Sequence, residues 1–134
     1  MRYICLSALF VMTSIFGATS HAQEASGVNI LKQLELPEFD GKEAVMLRVD
    51  YAPGESTSKH RHNAHTFVYV LEGSVMMQVE GGAVQVFGNG ETFYESPDDI
   101  HSVSRNASAT EPASFLVFFI KNTDAPILLS IDEK

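Results

Sequence analysis

Cysteine is nearly absent from this sequence: among 134 residues there is one, Cys5. Basic residues are scarce as well, 9 against 17 acidic ones, for a formal net charge of −8. The N-terminal apolar run, Tyr3 to Gly17, is shorter than the roughly 20 residues needed to cross a bilayer. Each shortage closes off a class of function. One cysteine cannot make an intramolecular disulfide, so a disulfide-stapled scaffold is excluded. The acidic balance argues against nucleic acid, whose binding draws on clustered Lys and Arg, and against anionic membrane surfaces. It leaves small substrates open, because the charge of a pocket can oppose that of the chain.

The N-terminus has a processing pattern. Met1-Arg2 is a short positive start, the apolar run follows, and Ser20-His21-Ala22 puts small residues three and one before Gln23. This order is that of a secretory signal peptide over residues 1–22, which implies a secreted or periplasmic protein with no membrane association after cleavage. Cys5 leaves with that segment, so thiol catalysis is excluded too. Residues 23–42 then read as an N-terminal arm and 43–134 as one domain with a modest core. Stability without disulfides must come from packing, oligomerisation or a bound metal.

From Glu43 onward the chain alternates short β-type runs with turn signals. Ala44 to Tyr51 ends at Ala52-Pro53-Gly54, Thr66 to Leu71 at Glu72-Gly73, and Ser74 to Val79 before Gly81-Gly82. Ala83 to Phe87 ends at Gly88-Asn89-Gly90, and further runs cover Thr92 to Tyr94, His101 to Ser104, Ser114 to Ile120 and Ile127 to Ile131. Such spacing predicts an all-β sandwich or barrel. Val28 to Leu36 fits either a short helix stopped by Pro37 or an N-terminal strand.

The histidines concentrate chemistry. Beyond the signal peptide there are four, His60, His62, His65 and His101, all at turn-to-strand positions. His60 and His62 are two apart, so an extended backbone points both to one face. Two imidazoles on one wall and a third from another strand make a face of a first-row metal sphere. A polar loop that coordinates nothing is the plainer reading of a His-x-His pair alone. The recurrence of a histidine after the turn at Pro97 favours the metal.

These residues resemble the two motifs of the cupin family. Gly54, five residues, His60-Arg61-His62 and a closing Gly73 match the first; Gly90, five residues, Ser96-Pro97-Asp98, then His101 and Asn106 match a degraded second. The resemblance implies a single double-stranded β-helix barrel of jelly-roll type behind a short N-terminal extension. It also implies a divalent transition metal (Fe, Mn, Ni, Zn or Cu) on His60, His62 and His101. The family's glutamate position falls on Thr66, with His65 one residue earlier. A bulge at Asn63-Ala64 would bring His65 in as a fourth ligand, whereas plain alternation would turn it away.

Further expectations follow from that barrel. Val68 and Val70 point inward, with Met46 or Leu47 facing them and Met76 or Met77 adding a soft wall, while Tyr69 packs outside. Tyr94 and Glu95 are candidate catalytic groups, Glu95 as a general base. Asn106-Ala107-Ser108 fits a glycosylation sequon, although the family's Asn there is structural. The apolar run Phe115 to Ile120 reads as a strand buried on both faces or at a subunit contact, and a homodimer is expected. A metal-dependent dioxygenase-type enzyme on a small organic substrate is the leading function, with isomerase or hydrolytic chemistry also suited to a His-rich site. A non-catalytic metal or small-ligand binding module of the cell envelope is the alternative, and a purely structural barrel the third.

Overall fold

The computed structural model describes residues 27–131, so the expected signal peptide lies outside the described residues. Those residues form eleven strands and no helix. In chain order they are β1 (Gly27–Glu35), β2 (Lys42–Tyr51), β3 (Ser56–Thr57), β4 (His60–Arg61), β5 (His65–Glu72) and β6 (Ser74–Val79). β7 (Gln85–Gly88), β8 (Thr92–Glu95), β9 (His101–Asn106), β10 (Ala113–Asn122) and β11 (Leu129–Ser130) follow. One sheet has the order β1-β2-β10-β5-β8, the other β11-β4-β9-β6-β7 with β3 also on β9. Every pairing is antiparallel.

Side-chain alternation explains why the sheets face each other. Val45, Leu47, Val49 and Tyr51 of β2, Val68 and Val70 of β5, and Phe115, Val117 and Phe119 of β10 are all buried. Val75 and Met77 of β6 meet them from the second sheet. Burying a side chain of this kind contributes about 1.5–3 kcal/mol, so this interior is the main source of stability. Leu47 and Met77 are therefore the inward members of their pairs, and Met46 is exposed. The run Phe115 to Ile120 is buried at alternate positions, with Leu116, Phe118 and Ile120 half-covered on the outer face.

The region that fitted either helix or strand is a strand. β1 pairs along β2 from Gly27↔Asp50 to Glu35↔Glu43, with one irregularity between Ile30 and Lys32. The expected arm thus supplies the edge strand of the first sheet. A buried Lys121–Glu43 ion pair fastens β10 to β2 at one end of that sheet, and Gln33 of β1 donates to the same carboxylate at 2.7 Å. Asn106 is structural, as the motif implied. Its amide nitrogen donates to Ala52 O and Glu111 O at 3.0 and 2.8 Å, and its side-chain oxygen accepts from Ser108 N.

Gly73 carries the chain from one sheet to the other in a single residue. It has a φ of +69°, and a Cβ there would sit 2.4 Å from Pro112 O, a backbone atom. Gly81 has a similar φ of +82° but open space around it. Both substitutions to alanine strain the backbone, and only the one at Gly73 adds a clash. Gly73→Ala is expected to lower unfolding free energy by more than about 1 kcal/mol beyond Gly81→Ala, read by urea denaturation. Equal losses would refute the steric account.

Candidate metal centre

Strand pairing sets the site. His60 of β4 and His101 of β9 are direct partners across the second sheet, and their rings lie 5.0 Å apart. His62, two residues on, returns to the same face with its ring 4.7 Å from that of His60. One nitrogen from each of His60, His62 and His101 falls within 4.8 Å of the others. His60 and His101 are buried, and Phe119 of the core packs on His62 at 4.8 Å.

Hydrogen bonds fix the tautomers. His60 Nδ1 donates to Ser58 O at 2.7 Å, and His62 Nδ1 donates to Ile127 O at 2.5 Å. A carbonyl only accepts, so in each neutral ring the proton sits on Nδ1 and Nε2 carries a bare lone pair. Those two Nε2 atoms face each other at 3.1 Å. Burial pushes His60 from its ordinary 6.5 down to about 4 and also lowers His62, against the opposing pull of their carbonyl partners. Both rings are therefore neutral near pH 7, and two lone pairs meet with no proton between them. A cation is what such a pair lacks, and a histidine set of this kind suits a first-row divalent metal.

The other expected residues divide. His65 is not at the cluster. It is exposed, its Nδ1 bonded to Tyr94 Oη at 2.7 Å, because Thr66 takes the inward position of β5 and alternation sends His65 to the outer face. The turn at Asn63, with φ +48°, does not shift the register so as to bring His65 inward. Tyr94 likewise lies outside, 46% exposed, and does not line the cavity beside the histidines. Glu95 is inside, opposite Thr66 in the β5–β8 pairing, and only 2% exposed. Its Oε1 is 3.1 Å from His101 Nδ1 and its Oε2 is 4.0 Å from His62 Nε2. Tyr69 packs outside as expected.

The histidines open on a cavity of about 110 Å³ between the sheets. Its walls are mostly apolar, with one polar cluster that motif reading missed. Tyr51 Oη lies 2.5 Å from Thr57 Oγ1 and 2.9 Å from Ser104 Oγ, and all three residues line the cavity. Tyr51 faces inward with Leu47 and Val49 of the same strand, a parity that the sequence left open. Thr57 and Ser104 lie on strands too short or too polar to reveal their facing. Room for a few waters or one ligand of a handful of heavy atoms is what this volume provides.

The neutral buried rings give a pH signature to the metal-free protein. An unfolded histidine takes up its proton near 6.5, whereas folded His60 resists until about 4. The unfolded state thus binds more protons between these values, and stability falls as pH drops through that window. The slope is up to about 1.4 kcal/mol per pH unit for each such histidine. Urea denaturation in the presence of a chelator from pH 7 to 4 should show this slope, shallower in His60→Gln. An identical profile in the variant would refute it.

Similarity to known proteins agrees with this geometry. The family model described as "Cupin domain" matches residues 47–119. Among curated proteins, no sequence matches the chain. A cupin family protein with a double-stranded β-helix fold from Methanocaldococcus jannaschii superposes with a TM-score of 0.61 at 13% identity, covering 84% of this chain and 94% of its own. A putative mannose-6-phosphate isomerase from Ralstonia eutropha gives 0.56 at 17% identity, covering 83% and 98%. An oxalate oxidase in complex with the substrate analogue glycolate gives 0.60 at 26% identity over 90% of this chain, which spans 63% of that enzyme. The two-sheet barrel is the double-stranded β-helix that the motifs implied, and the chain belongs to the cupin family.

Proposed function

We propose that this protein binds one divalent transition metal through His60, His62 and His101 and is an oxidoreductase, of dioxygenase type, acting on a small organic substrate. The observation that carries the metal is the pair of bare Nε2 lone pairs facing each other at 3.1 Å in a buried site. When bound, the metal would supply Lewis acidity and a redox centre with positions open to ligands. The chain's own residues supply the rest. Ser58 O and Ile127 O hold the two imidazoles in the ligating tautomer. The apolar wall excludes bulk water, and Tyr51, Thr57 and Ser104 offer hydroxyls to a polar substrate end.

Cavity size narrows the substrate. About 110 Å³ suits an oxyacid, enol or diketone of a few carbons and is too small for a polycyclic phenol. The likeness to an oxalate oxidase holding glycolate supports a compact oxyacid. The alternative, a non-catalytic metal or small-ligand module of the cell envelope, is favoured by one observation: Thr66 stands where the first motif has its glutamate.

Two further parts of the reading concern location and assembly. Residues 1–22 direct export and are removed before Gln23, leaving a secreted or periplasmic protein. The chain forms a homodimer through the outer face of the first sheet, where Met46, Phe67, Tyr69 and Tyr94 are exposed. Edge strand β1 adds exposed Val28, Ile30, Leu31 and Leu34 beside it. An uncovered apolar edge of this length invites pairing, and a second copy shields both faces at once.

Elemental analysis of the purified protein, reconstituted with Fe, Mn, Ni, Zn and Cu in turn, should give close to one metal per chain and a higher melting temperature than the stripped form. His62→Ala should retain a small fraction of that metal. Oxygen uptake with short oxyacids, enols or diketones would mark the enzyme. Tight metal binding without uptake on any of them would favour the binding module, and no metal at all would sink the enzyme and the metal-binding form of the module. Native mass spectrometry of the exported protein should show a dimer of chains beginning at Gln23. A Phe67→Glu/Phe118→Glu variant should run as a monomer; a monomeric wild type, or an N-terminus at Met1, would refute the corresponding part.

A further inference from the structure

We infer that Glu95 is the fourth ligand of the metal, delivered from β8 in place of the carboxylate that the first motif would have put on β5. This rests on the metal reading above and deepens it. Four observations converge. Glu95 is 2% exposed, yet neither carboxylate oxygen has a hydrogen-bond partner. A buried carboxyl left without partners is unfavourable unless something compensates it. Its two oxygens lie 3.1 Å from His101 Nδ1 and 4.0 Å from His62 Nε2, at the edge of the imidazole cluster. Thr66, its direct partner across the strands, is small, and both residues line the cavity on which the three histidines open.

The 3.1 Å contact with His101 is not an ordinary hydrogen bond. Both ring nitrogens of His101 are buried and lack a hydrogen-bond partner, so proximity to Glu95 does not come with the direction a hydrogen bond needs. Co-ligation accounts for the spacing. Two donors each about 2.1 Å from one ion, at angles between 90° and tetrahedral, stand about 3.0–3.4 Å apart. The His60–His62 nitrogens and the His101–Glu95 contact both have this separation, 3.1 Å. One cation between the two pairs would take up the facing Nε2 lone pairs, one nitrogen of His101 and the unpartnered carboxylate, whose charge offsets part of its own in an apolar surrounding.

Residue exchange across a strand pair makes the relocation possible. Thr66 and Glu95 are Cα partners with both side chains inward, so their Cβ atoms are about 4.5–5.5 Å apart. A glutamate is long enough to reach from β8 toward the point a β5 glutamate would have served. The sphere becomes three histidines and one carboxylate, and Glu95 is then a ligand instead of a free general base.

The test uses the full chain, metal-stripped and titrated with Zn²⁺ against a chromophoric chelator, followed by a crystal structure of the Zn-loaded protein. The expected results are one Zn²⁺ per wild-type chain, more than tenfold weaker binding in Glu95→Gln, and a Glu95 oxygen about 2.0–2.2 Å from the ion. The metal-free Glu95→Gln protein should melt no lower than the metal-free wild type, since the carboxylate loses no partner. Affinity of the variant within threefold of wild type overturns the assignment, as does a Zn-loaded structure with the carboxylate beyond bonding distance. If the wild type binds neither Zn²⁺ nor any other first-row ion, it is the metal reading that fails, and the assignment falls with it.

Discussion

Two imidazole lone pairs held face to face in a largely buried site are the constraint around which this barrel's interior is arranged. Each ring has its other nitrogen committed to a backbone carbonyl, Ser58 O for His60 and Ile127 O for His62, so neither can turn its lone pair away without losing a buried bond. The His60↔His101 pairing of β4 and β9 adds a third ring at a distance set by the sheet itself. Repulsion between such groups would ordinarily be relieved by protonation, but burial holds that off. The fold thus holds two lone pairs together at an energetic cost that a bound cation would offset.

The rest of the interior serves that arrangement. Phe119 belongs to the apolar core and at the same time packs on His62, so core and site share a wall. The first sheet contributes Glu95 and Thr66, the second contributes His60 and His101, and the cavity runs between them to the Tyr51–Thr57–Ser104 hydroxyls. The cavity therefore has a polar group at each end, the histidines at one and the three hydroxyls at the other, with apolar walls between. Outside, the same sheet carries an apolar surface with His65 and Tyr94 bonded to each other, a polar island that has no access to the site.

Much of the fold was legible because strand alternation and turn residues are local signals. β6 is read at its observed limits, Ser74 to Val79, and β2, β5 and β10 to within a residue or two, because apolar parity and flanking Gly or Pro agree there. β3 and β4 are invisible in sequence: two polar residues each, they exist only through their strand partners, β9 for both and β11 for β4 as well. His60, His62 and His101 were legible from spacing, and His65 was not, since one residue of register decides its face and no neighbouring apolar pattern crosses the Asn63-Ala64 turn. Tyr94 and Glu95 show the same parity from the other side. They are adjacent in sequence, and the structure puts one in solvent and the other beside the histidines. The hydroxyl cluster needed tertiary contact to appear, because Thr57 and Ser104 meet only when β3 lies on β9.

One hydrogen bond carries a consequence for the order of events in the life of the molecule. Ile127, whose carbonyl orients His62, lies 65 residues downstream of it. During synthesis both members of the His-x-His pair are exposed long before that carbonyl exists, and until it docks the His62 ring is free to present either nitrogen. The three-histidine arrangement therefore arises late, as the product of a completed barrel and not as its seed. In this respect the protein is the reverse of a zinc finger, where the ion gathers the chain. An ion held by these histidines would be taken up by the folded molecule, and the compartment in which folding finishes would set which metals are on offer.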